Sequence, residues 1–375
     1  MQKATRKQIK RHNQQLVLRT LYAELADNRA ALAQKTGLTK PTISNIVSEL
    51  MAQGLVEEGG RGASTASGGK RPRLLYFVPT ARQLIAVTIN SEQILGCLAY
   101  LDGSVVARHH LDVTEAMIES GTIQQAIQQV IDALIAQEDA PLLCVSVGVP
   151  GVVDSATDCI TSSALGWHDL LLVPQLHASY DVPIIVGNNT EFATRVRAVQ
   201  LDVPDVLVTV LVSDMIEVGM TIDGETYQHG ADINRLTTTA GDLKQLEWRN
   251  VHQRVQELRQ THPDSRLPAE HVNYPFIRRA LLQNDAAALQ LLDELSSRLA
   301  HLYAWVIALA RPTEITLAGH ISLLGAPLIE AIYDRLLQLL PATSINRVHL
   351  TLVRDDDLAL QGAIATALNQ ELGIL

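Results

Sequence analysis

Short polar side chains and basic side chains occur close together near the N-terminus. The polar set lies in the run L-T-K-P-T-I-S-N-I-V-S-E-L and consists of Thr39, Lys40, Pro41, Thr42, Ser44 and Asn45. The basic set follows it and consists of Arg61, Lys70, Arg71 and Arg73. Short polar side chains on a helix can reach base edges and phosphates, and cationic side chains neutralise phosphates. These residue types, in this order, predict contacts with double-stranded DNA.

Three helices are needed to hold the polar set in place. Apolar spacing predicts a first helix over residues 9–26 and a short second helix over residues 30–35, ended by Gly37. A third helix is predicted over residues 39–51, with Thr39 as its N-cap. Its buried stripe consists of Ile43, Ile46, Val47 and Leu50, which leaves the polar set on the opposite face. This order predicts a helix-turn-helix whose third helix reads DNA.

Two short strands are needed to hold the basic set. Residues 54–58 and 74–78 read as strands, and a Gly/Ser-rich loop with basic residues lies between them. Two strands around a basic loop form a wing, which lies along the minor groove and the phosphates. Residues 1–80 are therefore predicted to be a winged helix-turn-helix DNA-binding domain.

The charge distribution agrees with this prediction. The chain of 375 residues has a formal net charge of −10. Residues 1–80 contain 13 Lys and Arg against 5 Asp and Glu, which is +8, and residues 81–375 carry −18. A small basic module on a large acidic body is typical of a polyanion-binding domain joined to one that does not bind polyanions.

Composition excludes several other classes of protein. The apolar runs are short, so no membrane helix is predicted, and the basic N-terminus lacks the apolar region of a secretory signal. The three cysteines, Cys97, Cys144 and Cys159, are far apart and form no CxxC pair. This spacing argues against a disulfide framework or a cysteine-rich metal site, and it predicts a cytoplasmic protein without a metal or another cofactor.

From residue 83 onward, apolar strands alternate with helices, which predicts an α/β fold. The predicted strands are residues 84–89, 96–101, 142–147, 184–186, 206–212, 218–222, 315–317 and 348–353. The predicted helices include residues 122–136, 191–200, 286–310 and 328–339.

Several segments of this region resemble those of ROK proteins (repressors, open reading frames and sugar kinases). The matching runs are S-V-G-V-P-G-V-V-D from Ser146, L-G-W-H-D-L from Leu165, V-P-I-I-V-G-N-N from Val182, I-D-G-E-T-Y-Q-H-G from Ile222, L-A-G-H-I-S from Leu317 and D-L-A-L-Q-G-A from Asp357. The N-terminal module, with G-G-K-R-P from Gly68, is similar to the regulator branch of the family. The resemblance implies an actin-like (ribonuclease H-like), two-lobed domain over residues 81–375. Lobe 1 comprises about 81–195 plus 355–375, and lobe 2 comprises about 196–354.

The residues that the kinases of this family need are replaced. The resemblance places a DxGGT-like turn at Thr88-Ile89-Asn90-Ser91-Glu92, a GTGIGxG hairpin at residues 213–219 and the catalytic Asp at Asn189. Only Gly219 of the hairpin is kept, and Asp214 and Glu217 would repel a phosphate. An amide cannot accept a hydroxyl proton as a carboxylate does. The sugar segment and the zinc segment of the family are also missing.

The sequence therefore predicts a sequence-specific transcriptional regulator, most simply a repressor, that binds DNA as a homodimer or tetramer and has lost kinase activity. The cleft for a small-molecule effector, sugar-like or of another class, is predicted to involve Trp167, Asn188, Asn189 and Glu191. Two alternatives stay open. One is a bifunctional ATP-dependent sugar kinase with a DNA-binding head, and the other is a DNA-binding protein without an effector.

Overall fold

The computed structural model describes residues 5–24, 28–61, 72–154, 156–201, 205–213, 215–227, 237–239, 241–353 and 357–374. The helices are α1 Arg6–Glu24, α2 Arg29–Thr36, α3 Lys40–Ala52, α4 Glu115–Ser120, α5 Ile123–Ile135, α6 Leu172–His177, α7 Asn189–Gln200, α8 Trp248–Thr261, α9 Tyr274–Leu282, α10 Ala286–Ala310, α11 Ala326–Leu339, α12 Ala342–Ile345 and α13 Leu358–Leu372. The strands are β1 Val56–Arg61, β2 Arg73–Phe77, β3 Gln83–Ile89, β4 Gln93–Tyr100, β5 Val105–Asp112, β6 Leu142–Val149, β7 Val152–Asp154, β8 Cys159–Ser162, β9 Trp167–Leu170, β10 Ile184–Asn188, β11 Val206–Val212, β12 Ile216–Ile222, β13 Glu225–Tyr227, β14 Thr237–Thr238, β15 Gly241–Asp242, β16 Glu314–Ala318 and β17 His349–Leu352.

The N-terminal part consists of α1, α2 and α3 followed by the antiparallel pair β1–β2. Helix α2 ends at Gly37, which has a φ of +69°, and Thr39 caps α3 by accepting a hydrogen bond from the Thr42 N–H at 3.4 Å. Both local predictions are confirmed. The stripe predicted for α3 is buried, with Ile43 and Val47 both at 0% exposure. It packs with apolar residues of α1, α2 and the two strands in one cluster.

After the N-terminal part, the chain is built around two five-stranded mixed sheets. The first has the order β5-β4-β3-β6-β10, and the second has the order β13-β12-β11-β16-β17. In each sheet, three antiparallel strands that follow one another along the chain are extended by two parallel strands. This repeated topology confirms the mixed α/β fold with two similar lobes. A further three-stranded sheet, β7-β8-β9, lies beside the first lobe.

Helices α7 and α13 pack against each other and lie against the two main sheets. Helix α13 covers β3 and β6 of the first sheet, and α7 covers β11 and β12 of the second. The two helices cross closely at Gly362, where an added Cβ would overlap the backbone carbonyl of Phe192. Only glycine can therefore occupy this crossing.

Helix α1 lies on the C-terminal end of α13. Arg11 Nη2 donates to the Gln370 carbonyl at 2.7 Å, and Arg19 Nε donates to the Gly373 carbonyl at 2.8 Å. The apolar residues of the N-terminal helices and those of α13, including Leu372 and Ile374, belong to one cluster. The N-terminal part is thus packed against the last turn of the chain.

Candidate nucleic-acid interface and inter-lobe cleft

The polar face of α3 is exposed. Thr39, Lys40, Pro41, Ser44 and Asn45 are exposed, whereas Thr42 is half-buried, with its hydroxyl 2.8 Å from that of Thr39. The apolar stripe on the opposite side fixes the rotation of the helix about its axis. These five residues therefore share one solvent-facing surface at the N-terminal end of α3.

Helix α3 is held to α1 by polar contacts as well as by its apolar stripe. The Glu49 carboxylate accepts hydrogen bonds from Lys10 Nζ at 2.7 Å and from Gln14 Nε2 at 2.8 Å. These contacts lie toward the C-terminal half of α3, so they leave its exposed N-terminal face clear.

One carboxylate on β1 organises the basic residues beside the β1–β2 pair. Glu58 accepts hydrogen bonds from Arg29 and from Arg73 Nη1, the latter at 2.7 Å. These guanidinium groups lower the pKa of Glu58. The Arg73 side chain is 73% exposed. Of the other predicted wing residues, Lys70 and Arg71 lie outside the described residues, and only the backbone of Arg61 is described.

A cavity of about 80 Å³ lies between the two lobes. Its lining includes Thr88, Ile89, Asn90, Asn189, Ser213, Met215, Glu217, Gly319 and His320. The first seven of these residues come from the segments predicted at the nucleotide and catalytic positions, and Gly319 and His320 come from the L-A-G-H-I-S run. Asp214, which belongs to the predicted hairpin at residues 213–219, lies outside the described residues.

Glu217 is the buried charged residue at the centre of this cleft, with 6% exposure. Its Oε1 accepts hydrogen bonds from the Gly151 N–H at 2.7 Å and from Asn188 Nδ2 at 2.6 Å, and its Oε2 accepts from the Thr190 hydroxyl at 3.2 Å. Gly151 has a φ of +106°, and a Cβ there would collide with the Thr161 carbonyl. Glu217 of the second lobe therefore binds donors supplied by the first lobe and by the start of α7.

Asn188 and Asn189 begin α7 but have different partners. Asn188 Oδ1 caps the helix by accepting from the Thr190 and Glu191 N–H groups at 2.7 and 3.1 Å. Asn189 Nδ2 donates to the Ile89 carbonyl at 2.8 Å. A carboxylate at position 189 could not make this bond, because two acceptors would then face each other. Asn189 is thus bound to the protein backbone.

The structure does not bring the four predicted cleft residues into one site. Asn189 lines the inter-lobe cavity, and Asn188 lies behind it in contact with Glu217. Trp167 is 5% exposed and packs in the apolar core of the first lobe. Glu191 lines a separate cavity with α13. Glu217 was predicted only to repel a phosphate, although a Glu within the apolar strand β12 is itself a signal of a buried polar contact.

The described residues contain no group of three or more His, Cys, Asp or Glu that could hold a metal ion. Over the same residues, the structure has no helix with the length and apolar character needed to cross a membrane.

Residues 84–231, which include β3, the Pro150-Gly151 turn and the start of α7, match the sequence profile of the ROK family. Over these residues the chain is similar to a ROK family domain. Over 182 residues it is 30% identical to the xylose repressor of Bacillus spizizenii, an alignment that covers 48% of this chain and 47% of that protein. Over 225 residues it is 28% identical to the xylose repressor of Bacillus subtilis, which covers 59% of this chain and 58% of that protein. The chain thus spans about half the length of these two relatives.

Solved ROK structures share the fold. A ROK family transcriptional regulator, described as a homologue of the E. coli MLC protein, superposes with a TM-score of 0.79 at 19% identity, covering 96% of this chain and 98% of that one. A ROK family glucokinase from Streptomyces griseus superposes with a TM-score of 0.63 at 15% identity, covering 76% of this chain and 98% of that one. The actin-like fold implied by the resemblance is confirmed.

Proposed function

We propose that this protein is a sequence-specific DNA-binding transcriptional repressor. The observation that carries the proposal is the exposed N-terminal face of α3, where Lys40, Ser44 and Asn45 project from a helix whose opposite stripe is buried. Amide and hydroxyl groups at such positions can pair with base edges in the major groove. Residues 1–80 would form the DNA-binding domain and residues 81–375 the regulatory domain.

Two further observations support this proposal. The related proteins from Bacillus spizizenii and Bacillus subtilis are both named xylose repressors. The structural similarity to the ROK transcriptional regulator extends over 96% of the chain, whereas the similarity to the glucokinase extends over 76%. The difference of 20% of the 375 residues is 75 residues, which is close to the 80 residues that the proposal assigns to DNA binding.

The binding unit is proposed to be a homodimer in the cytoplasm. A single recognition helix reads only a few base pairs, so specificity requires two copies. A two-fold symmetric pair of α3 helices would occupy successive major grooves, about 34–36 Å apart, on a pseudo-palindromic operator.

The inter-lobe cleft supports loss of kinase activity. Glu217 places a carboxylate where a phosphate-binding hairpin would be, and Asn189 uses its amide to hold the Ile89 carbonyl. Phosphoryl transfer by this fold needs backbone N–H groups free to cradle phosphates and a carboxylate free to accept a proton. In this protein Glu217 and Asn189 occupy those two positions, and both side chains are hydrogen-bonded within the protein. The regulatory domain is instead proposed to bind a small-molecule effector that changes operator affinity.

Binding to DNA is tested with the full chain and genomic fragments selected by that chain. We expect the Lys40→Ala/Asn45→Ala double variant to lose the selected sites, with thermal melting unchanged. The matched control is Lys244→Ala, which removes the same charge from an exposed site in the second lobe. Unchanged binding by the double variant would show that α3 is not the recognition helix.

Kinase activity is tested separately by a coupled ATP-turnover assay across hexoses and amino sugars. We expect no measurable rate, and a measurable rate would overturn the loss of kinase activity.

A further inference from the structure

Helix α1 meets the end of α13 through three side chains on one face. Arg11, Gln15 and Arg19 are spaced four residues apart, so they follow one another along that face. Arg11 Nη2 donates to the Gln370 carbonyl at 2.7 Å, and Arg19 Nε donates to the Gly373 carbonyl at 2.8 Å. An added Cβ at Gly373 would lie only 2.6 Å from the Gln15 Cβ. We call this set of contacts the α1–α13 clamp.

The clamp matches the chemistry of a helix C-terminus. The last carbonyls of a helix have no partner within the helix and carry the negative end of its dipole, so cationic donors stabilise them. Arg11 also lies 3.7 Å from the Glu371 carboxylate. Gly373 ends α13 with a φ of +68°, a conformation that glycine adopts without strain. Glycine is also required because a side chain at this position would displace Gln15.

Apolar packing accompanies these polar contacts. Leu372 and Ile374 are 6% and 0% exposed, and they share one apolar cluster with Val17 and Leu21 of α1. Opening the clamp would expose buried apolar surface and break two charge-assisted hydrogen bonds. The contacts thus favour one docked position of α1.

The clamp determines where the recognition helix lies. Helix α1 holds α3 through Glu49, which accepts hydrogen bonds from Lys10 and Gln14. Helix α13 in turn lies against β3 and β6 of the first sheet and against α7. The position of α3 relative to the two lobes is therefore set through α1 and the end of α13.

We propose that Arg11 and Arg19 are positioning residues that fix the recognition helix on the regulatory domain and thereby restrict the homodimer to one spacing of operator half-sites. The proposal rests on the DNA-binding homodimer proposed above. One inserted base pair moves a half-site by about 3.4 Å along the DNA axis and turns it by about 35° around that axis. Two recognition helices that are fixed on their regulatory domains cannot follow this movement, whereas two released ones can.

The test uses operators that keep the half-sites selected by the unaltered chain and change their spacing by one or two base pairs. Fluorescence anisotropy with the full chain measures the Kd of each operator. We expect the unaltered chain to bind at least about tenfold more weakly when two base pairs are inserted, and Arg11→Ala/Arg19→Ala to lose less than about threefold. The control Lys7→Ala/Lys244→Ala removes two positive charges at exposed positions, one of them on α1, and should keep the full dependence on spacing.

A second pair of variants alters the clamp without removing a charge. Gly373→Ala places a Cβ against Gln15 and should reduce the dependence on spacing, as the double arginine variant does. Gly121→Ala is the matched control, because Gly121 ends α4 with a φ of +67° and a Cβ there meets none of the described residues within 4 Å beyond its chain neighbours. Thermal melting of each variant separates loss of the clamp from loss of the fold.

Amide nitrogen-15 relaxation in the absence of DNA measures the clamp directly, because it reports whether the N-terminal part tumbles together with the two lobes. We expect one rotational correlation time throughout the unaltered chain. The N-terminal part of Arg11→Ala/Arg19→Ala should have a shorter correlation time than its lobes.

Three results would overturn the proposal. They are an unaltered chain that binds all spacings equally, a double arginine variant whose spacing dependence and correlation time are unchanged, and equal effects of that variant and its charge control. A chain that selects no DNA would overturn the proposed function, and with it the role in spacing. The relaxation measurement would still show in that case whether Arg11 and Arg19 hold the N-terminal part, so the two failures are distinguishable.

Discussion

Asn188 Nδ2 lies 2.6 Å from Glu217 Oε1, and this hydrogen bond joins the end of β10 in the first lobe to β12 in the second. The same amide nitrogen lies 2.6 Å from the Gly151 carbonyl, while the Gly151 N–H binds Glu217. Three chain segments that are distant in sequence thus meet around one buried carboxylate. The Glu217 carboxylate therefore occupies the hydrogen-bond donors of Gly151, Asn188 and Thr190.

Replacing Glu217 with Gln should destabilise the protein, because one carboxylate oxygen that accepts a hydrogen bond becomes an NH₂ group facing donors. Hydrogen bonds to a charged group contribute about 1.5–3 kcal/mol each, so we expect a loss of about that size in the free energy of unfolding. Urea denaturation followed by circular dichroism measures it. The control is Glu225→Gln on neighbouring β13, which is exposed and should change stability by less than about 0.5 kcal/mol. Equal effects of the two changes would contradict the role of Glu217.

Helices with a clear apolar stripe and short apolar strands were predictable from the sequence, whereas helix α13 and strand β5 were not. The stripe of α3 and the apolar strand β11 lie where predicted, within a few residues. Helix α13 was missed because it packs against α7, the first sheet and α1, so its sequence is apolar all round and shows no 3.6-residue period. Strand β5 was missed because it is an edge strand with polar side chains, among them Arg108 and His110.

The candidate site was predictable only where one residue type marks one role. Thr39 as an N-cap and Gly37 as a helix end follow from local backbone chemistry, and both were found. Glu217 binds Gly151 and Asn188, and these three residues become neighbours only through the packing of the two lobes. No sequence pattern expresses that packing, so this contact became visible only in the structure.

Replacing Gly362 with Ala should separate α7 from α13. The new Cβ would overlap the Phe192 carbonyl, so one helix must shift, and overpacking of this kind costs about 1–3 kcal/mol. The denaturation midpoint should fall accordingly. Gln361→Ala at the adjacent, half-buried position adds no volume and is the control. A Gly362→Ala protein with an unchanged midpoint would show that the crossing is looser than the structure indicates.

The three cysteines should differ in reactivity. Burial raises the pKa of both Cys97 and Cys144 to about 12, so almost no thiolate forms at neutral or mildly alkaline pH. Cys159 is partly exposed. At about pH 8, Ellman's reagent should label one thiol in the native protein and three in denaturant. Cys159→Ser should abolish the native reaction, and fast labelling of that variant would contradict the burial of the other two.

The ion pairs of Glu58 with Arg29 and Arg73 should stabilise the N-terminal part in a pH-dependent way. Hydrogen bonds from Arg73 and Arg29 lower the pKa of Glu58 below its ordinary value of 4.5. A lowered pKa gives stability that is present above the ordinary value and lost as the pH falls through the lowered one. The melting temperature of Glu58→Gln should therefore lie below that of the unaltered protein at about pH 7, and the difference should shrink as the pH falls below the ordinary Glu pKa of 4.5. A difference that grows on acidification would contradict this sign.

Substitutions in the β1–β2 wing and in the recognition helix α3 should differ in their effect on the salt dependence of DNA binding. Arg73 is exposed beside β1, and a cation that neutralises one phosphate contributes about 0.9 to the slope of log affinity against log salt. Arg73→Ala should therefore flatten the slope by about that amount and weaken binding to all sequences alike. Asn45→Ala should instead keep the slope and lose preference for the operator, because an amide reads bases and carries no charge.

The control for this comparison is Arg279→Ala, which removes the same charge from an exposed position on α9. Fluorescence anisotropy at several salt concentrations, with operator and scrambled duplexes, measures slope and preference together. A slope that flattens equally in Arg73→Ala and Arg279→Ala would mean that the basic residues act through overall charge. A lower slope in Asn45→Ala would mean that α3 lies on the backbone and does not enter the groove, because only loss of a phosphate contact releases fewer counterions.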